Sequence, residues 1–133
     1  MKPTPELHVL AIVATATALM WAPYIAARLL IHGPARALDN RDPAFPPLPA
    51  WAARARLAHA NAAENLAVFA PLVVVANLMG VSTPSTIVAS KVYLGARLVH
   101  YVVYAAGVPL VRTLAFMVGV AATLAIAAAV VGR

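Results

Sequence analysis

The feature that most constrains the fold of this sequence is an apolar run, Leu7–Ala27, which contains no acidic residue, lysine or arginine. A signal peptide has an apolar core of only about 7–15 residues, and this run is longer. A helix needs roughly 20 apolar residues to cross a bilayer. We therefore expect a membrane-spanning helix at about residues 6–32, kinked at Pro23 because proline removes a helix hydrogen bond.

The rest of the chain is also too apolar for a small soluble domain. Of its 133 residues, 63% are hydrophobic and 11% are charged, and the mean hydropathy is +0.85. A core of this size cannot bury so much apolar surface, so lipid must cover much of it. We expect one all-α integral membrane domain over residues 1–133, a bundle of four transmembrane helices at about 6–32, 51–79, 84–106 and 109–132.

Turn-forming residues mark the predicted connections. The segment Gly33–Ala50 is rich in proline and carries charged residues, so it cannot span the membrane, and Pro43–Pro49 (PAFPPLP) predicts an extended loop. Thr83 followed by Pro84 is typical of the cap and first turn of a helix. Gly107–Pro109 predicts a break between the last two helices.

The distribution of charge predicts the orientation in the membrane. The net charge is +6, but the basic residues are scattered and form no tract, so we expect no nucleic-acid partner. Arginines surround the first connection, Arg112 lies beside the third, and the second has none. Because positive loops stay inside, loops 1 and 3 should be cytoplasmic and both termini should face outward. The absence of cysteine excludes disulfides and thiolate metal ligands, and we expect no metal site.

The stretch Arg54–Phe69 (RARLAHANAAENLAVF) places polar residues at the start of the second predicted helix. Arg54, Asn61 and Glu64 stand at positions i, i+7 and i+10, which places them along one stripe of a helix. A lone acid within a bilayer costs about 2.5–3.5 kcal/mol even on lenient scales. We therefore expect Glu64 to be buried beneath arginines, in the floor of a polar pocket.

The third predicted helix carries a matching polar face. Its members recur at helical spacing: Tyr93, Arg97, His100 or Tyr101, and Tyr104. An arginine and tyrosines on one face can bind a carboxylate or a thiolate from several sides. The alternative is that the tyrosines belong to an interfacial belt and that Arg97 only forms a salt bridge with Glu64.

Two segments carry a resemblance to a known family. They are Ala58–Asn65 (AHANAAEN) with Phe69, and Arg97–Phe116 (RLVHYVVYAAGVPLVRTLAF). Both resemble the MAPEG family, the membrane-associated proteins in eicosanoid and glutathione metabolism, and the chain looks like a bacterial-type member similar to microsomal glutathione transferases. The resemblance implies a homotrimer of four-helix subunits in the bacterial inner membrane. It also implies that glutathione is held between neighbouring subunits near the cytoplasmic side.

The resemblance also implies roles for individual residues. Arg112 matches an arginine that holds the glutathione sulfur as thiolate, which makes it the expected catalytic residue. The positions expected to bind glutathione are Arg28, Arg54, Asn61, Glu64, Arg97, His100 and Tyr104. Leu57 stands where the family pattern has a second arginine. Thr113 and Phe116 replace the hydroxyl pair of the prostaglandin E synthase branch, which argues against that activity.

The chemistry of such a site follows from charge. Glutathione carries two carboxylates and one ammonium, so several arginines and one acid complement it. A nearby guanidinium favours the thiolate, which can attack a lipophilic small molecule dissolved in the membrane lipid. We expect a glutathione-dependent membrane transferase or peroxidase with glutathione as co-substrate. The alternatives are a non-catalytic lipid-binding or scaffolding protein of the same fold and a small transporter or channel.

Overall fold

The structure is a computed structural model that describes residues 2–39 and 45–133. Within those ranges the chain forms helices and connections but no strand. The helices are α1 (Pro5–Leu19), α2 (Ala22–Leu38), α3 (Ala50–Leu78), α4 (Pro84–Ala106) and α5 (Pro109–Val131). Because α1 and α2 together form the first membrane segment, the expected bundle of four helical units is confirmed.

The first segment contains the predicted break, but it lies before Pro23 rather than at it. A proline ring clashes with the carbonyl four residues earlier, and α1 accordingly ends at Leu19. The hydroxyl of Tyr101 donates a hydrogen bond of 2.8 Å to the carbonyl of Met20, which satisfies one group that the break frees. Next to the predicted end near residue 32 the helix is interrupted: Gly33 has a φ of +76°, which glycine tolerates, and helical turns resume after it as far as Leu38.

The other boundaries lie within about two residues of the prediction. Thr83 caps α4 as expected: its hydroxyl accepts from the N–H of Thr86, and the Thr86 hydroxyl accepts from the N–H of Thr83 at 2.8 Å. Gly107, with a φ of +81°, ends α4. Of the loop predicted over Pro43–Pro49, residues 43 and 44 lie outside the described residues, and Phe45–Pro49 has no regular structure.

The interior of the bundle divides into an apolar half and a polar half. The apolar half lies near the α3–α4 connection, where Val73, Val81 and Ile126 are almost completely buried. The polar half lies near the α2–α3 and α4–α5 connections. There α3 packs through buried alanines, namely Ala52, Ala55, Ala58 and Ala62. Because alanine side chains are short, α4 supplies the large side chains in this half.

A buried acid that the sequence did not predict joins the helices in the apolar half. Glu6, in the first turn of α1, is 2% exposed. Its carboxylate accepts hydrogen bonds from Ser82 Oγ at 3.0 Å and from Thr86 Oγ1. These bonds connect the start of α1 to the start of α4 and explain how a carboxylate is tolerated in this position.

The outer surface of the bundle is apolar. Among the described residues, three helical segments are long and apolar enough to cross a membrane: Pro5–Leu38, Ala50–Leu78 and Pro109–Val131. At 23 residues, α4 is also about 35 Å long, but Lys91, Arg97 and its other polar residues make it less apolar. Large apolar side chains such as Leu110, which is 71% exposed, cover the outside. The chain is an integral, multi-pass membrane protein.

Candidate functional site

The polar face predicted on α4 is present and faces the interior of the bundle. Tyr93, Arg97 and His100 are all at most 3% exposed, and Tyr104 is half-buried. Tyr101, about 100° around the helix from His100, bonds instead to the carbonyl of Met20. His100 is therefore the member of the inward face at this level.

The buried side chains form a continuous stack, which we call the cation–aromatic column. In order from the α4–α5 connection inward, its members are Arg112, Tyr104, His100, Phe116, Arg97, Tyr93 and Phe69. The Arg112 guanidinium carbon lies 4.7 Å from the centre of the Tyr104 ring. At the other end, the rings of Phe69 and Tyr93 stack with centroids 3.7 Å apart. Aromatic faces attract cations, so the rings of the column stabilise two guanidiniums that form no ion pair with a carboxylate of the described residues.

Arg97 is the deeper of the two cations in the column. Its guanidinium carbon lies 5.2 Å from the Tyr93 ring and 5.4 Å from the Phe116 ring. Its Nη1 donates a hydrogen bond of 3.2 Å to Asn61 Oδ1, and its Nη2 donates to the carbonyl of Phe116 at 3.4 Å. The alternative in which Arg97 forms a salt bridge with Glu64 is wrong within the subunit, because the amide of Asn61 takes that place.

Glu64 differs most from its prediction. It is exposed on the surface of the subunit, and it forms no ion pair within the residues that the structure describes. The reason is the rotation along α3. The step from Arg54 to Asn61 turns the helix by about −20°, but the step from Asn61 to Glu64 adds about −60°. The predicted stripe therefore winds from the interior at Arg54 to the outer surface at Glu64.

Arg54 lies at the end of α4 rather than in a pocket. Its Nε donates a hydrogen bond of 3.0 Å to the carbonyl of Ala105. A Cβ added to Gly107 would lie only 3.1 Å from the Arg54 guanidinium carbon, so the glycine makes room for the arginine. A cation that bonds to the last carbonyls of a helix stabilises that end. Within one subunit, Arg54 therefore has a structural partner.

Arg112 and Arg28 have different surroundings. Arg112 is half-buried at the start of α5, and its contact in the described part of the chain is the ring of Tyr104. Arg28 donates a hydrogen bond of 3.1 Å to the carbonyl of Asp39, the residue that ends α2. Within the subunit these two residues are not brought together. No group of three His, Asp or Glu residues suited to a metal ion occurs among the described residues.

One pair between α2 and α3 and two contributors from α5, Phe116 and Gly119, are not predicted by the sequence. Both α5 residues follow Arg112 at i+4 and i+7, so their spacing could have placed them on its face. The other pair joins Tyr24 to His59, whose Nδ1 lies 2.8 Å from the tyrosine hydroxyl. No local signal predicts this bond, because its partners are 35 residues apart.

Comparison with known proteins identifies one family. The sequence matches the profile of the MAPEG family over residues 7–132, nearly the whole chain. No curated protein and no solved structure matches the chain.

Proposed function

The chain belongs to the MAPEG family, and on this basis we propose that it is a glutathione-dependent membrane transferase or peroxidase. In this proposal the protein binds glutathione near the α4–α5 connection and stabilises its thiolate for attack on a lipophilic electrophile. The membership itself supports a membrane protein of glutathione or eicosanoid metabolism. The narrower assignment rests on the chemistry of the cation–aromatic column.

The observation that carries the proposal is the position of Arg112. Its guanidinium is half-buried, lies over the Tyr104 ring, and has no carboxylate within ion-pair distance among the described residues. A ring face attracts the cation but leaves its N–H groups free to donate. An arginine held in this way can receive an anion near the α4–α5 connection.

The proposed chemistry uses few groups. A cysteine thiol has a pKa of about 8.5, so most of it is protonated at neutral pH. A guanidinium in a site of low dielectric favours the thiolate, and the proton leaves to solvent. The thiolate then forms a carbon–sulfur bond with the electrophile, whose leaving group departs with the bonding electron pair. Arg112 is the catalytic residue because it would touch the reacting sulfur.

The other proposed glutathione contacts are less direct in a single subunit. Asn61 is half-buried and accessible, whereas Arg97 and His100 are 3% exposed and would act mainly by supporting their neighbours. Tyr104 would orient Arg112. Glu64 and Arg28, at the surface of the subunit, would reach glutathione only where a second subunit meets the first.

Assembly of the chain into a homotrimer is part of the proposal, and Glu64 supports it. Glu64 is the central residue of the 29-residue helix α3, so it lies about 21 Å from either end. An exposed carboxylate at that depth would face hydrocarbon in a lone subunit, at a cost of about 2.5–3.5 kcal/mol. A neighbouring copy that supplies a cation or a polar ligand removes this cost.

Titration of the detergent-solubilised protein with glutathione tests the proposal. We expect the melting temperature to rise with glutathione concentration and an ultraviolet absorbance band of thiolate to appear. S-methylglutathione, which cannot ionise at sulfur, is the control for the absorbance. Absence of binding would refute the proposal and favour the lipid-binding alternative, which the 53% exposure of Leu57 on α3 would suit.

A further inference from the structure

Gly119 on α5 lies directly against the buried guanidinium of Arg97. A Cβ added to Gly119 would overlap Arg97 Nη2 and lie 2.9 Å from Nε and 3.0 Å from Cζ. Such distances are not found in ordinary packing. The Arg97 guanidinium cannot move away easily from such a Cβ, because the residue is 3% exposed and its guanidinium lies between the rings of Tyr93 and Phe116. The absence of a side chain at Gly119 therefore permits this placement of Arg97.

The placement of Arg97 in turn fixes the orientation of Asn61. A guanidinium can only donate hydrogen bonds, so the atom of Asn61 that faces it at 3.2 Å must be the carbonyl oxygen Oδ1. The same oxygen accepts from Asn65 Nδ2 at 3.3 Å. Both contacts fix Oδ1 as the acceptor, so Nδ2 is the amide atom that does not face the Arg97 guanidinium. Within the described part of the chain, Asn61 Nδ2 donates no hydrogen bond.

We infer that Gly119 is a positioning residue for ligand binding, because it lets Arg97 hold the Asn61 amide with its N–H groups available to an incoming carboxylate or peptide carbonyl. This inference rests on the proposed function, since it takes glutathione as the ligand that supplies the acceptor. Asn61 acts as a donor to the ligand, Arg97 orients Asn61, and Gly119 provides the space for Arg97.

A double-mutant cycle tests the inference with glutathione as the probe. Gly119→Ala should weaken glutathione binding by roughly three- to tenfold, the value of one hydrogen bond. In the Asn61→Ala background the same substitution should cause no further loss, because it acts through Asn61. Gly95→Ala is the matched control: Gly95 lies in α4 with nothing near its added Cβ. We expect it to leave glutathione affinity unchanged and to keep or raise the melting temperature.

The outcomes separate this inference from the proposed function. If the wild-type protein binds no glutathione, the proposed function fails. If the wild-type protein binds it and Gly119→Ala leaves the affinity unchanged, or lowers it equally in both backgrounds, only the role of Gly119 is refuted.

A second variant covers the case in which Gly119→Ala does not fold. Lysine lacks Nη2, the atom that the new Cβ would overlap, and its single-bonded Cε and Nζ can rotate away where the planar Nε and Cζ of arginine cannot. Arg97→Lys combined with Gly119→Ala should therefore fold and bind glutathione as Arg97→Lys alone does. If the combination is also unfolded, the conflict at Gly119 is not with Arg97 and the inference is overturned.

Discussion

Replacement of Arg112 by leucine is the most direct test of the proposed chemistry. The substitution removes a half-buried cation whose contact in the described structure is the Tyr104 ring at 4.7 Å. A cation–π contact at such a site is worth about 0.5–1 kcal/mol, so the protein should still fold. Loss of a charge-assisted contact to the thiolate costs about 1.5–3 kcal/mol, which lowers the rate roughly ten- to a hundredfold.

The kinetic pattern distinguishes thiolate stabilisation from simple binding. Turnover of an aryl halide with glutathione should fall more than glutathione affinity, because the contact is strongest with the ionised sulfur. Without the cation, the pKa of the bound glutathione thiol should rise. Below that pKa the thiolate fraction falls about tenfold for each pH unit, so the rate profile of Arg112→Leu should shift to higher pH. Thiolate absorbance measured across the pH range checks this shift.

Two further variants complete the test of Arg112. Arg112→Lys keeps the charge and should recover part of the rate. Lys91→Leu removes a cation from the exposed face of α4, away from the cation–aromatic column, and should leave turnover unchanged. Equal losses of affinity and turnover in Arg112→Leu would show that Arg112 binds a carboxylate of glutathione. Unchanged affinity and turnover would exclude it from the site and refute the proposed mechanism.

Three other predictions concern the surroundings of the site. Leu57→Arg should tighten glutathione binding about fivefold, because the free energy gained from one added charge-assisted hydrogen bond exceeds the cost of desolvating the new cation. Titration calorimetry measures this affinity, and a lower melting temperature with unchanged affinity would contradict the prediction. Glu6→Leu should lower the free energy of unfolding by about 2–4 kcal/mol through loss of the bonds from Ser82 and Thr86, and Glu6→Gln should lower it less. Neither Glu6 variant should change glutathione affinity, and a change would mean that the two ends of the bundle are coupled. A reporter fused after Arg133 should be active on the outer side of the membrane, and activity only in the cytoplasm would reverse the predicted orientation.

The α4 helix shows how far its sequence predicted the site. The spacing of Tyr93, Arg97, His100 or Tyr101, and Tyr104 predicted one continuous face. In the structure that face runs through His100; its first three members are buried and Tyr104 is half-buried. Glu64 was not predicted correctly, because the step from i+7 to i+10 rotates the helix by about −60° and carries the stripe out of the interior. The sequence also does not predict that Arg54 bonds to the end of α4, since nothing near Arg54 indicates where that helix end lies in the bundle.

The sequence by itself determined the membrane-spanning segments, their breaks at proline and glycine, and the family to which the chain belongs. These follow from hydropathy, turn chemistry and local motifs, all of which act over a few residues or along one helix. Only the tertiary structure decided which polar groups meet. Glu6 bonds to residues 76 and 80 positions away, and Arg97 meets Asn61 and Gly119 on two other helices. Such partners depend on the rotation of each helix about its axis and on its height in the bundle, which are set by the packing of all the helices together.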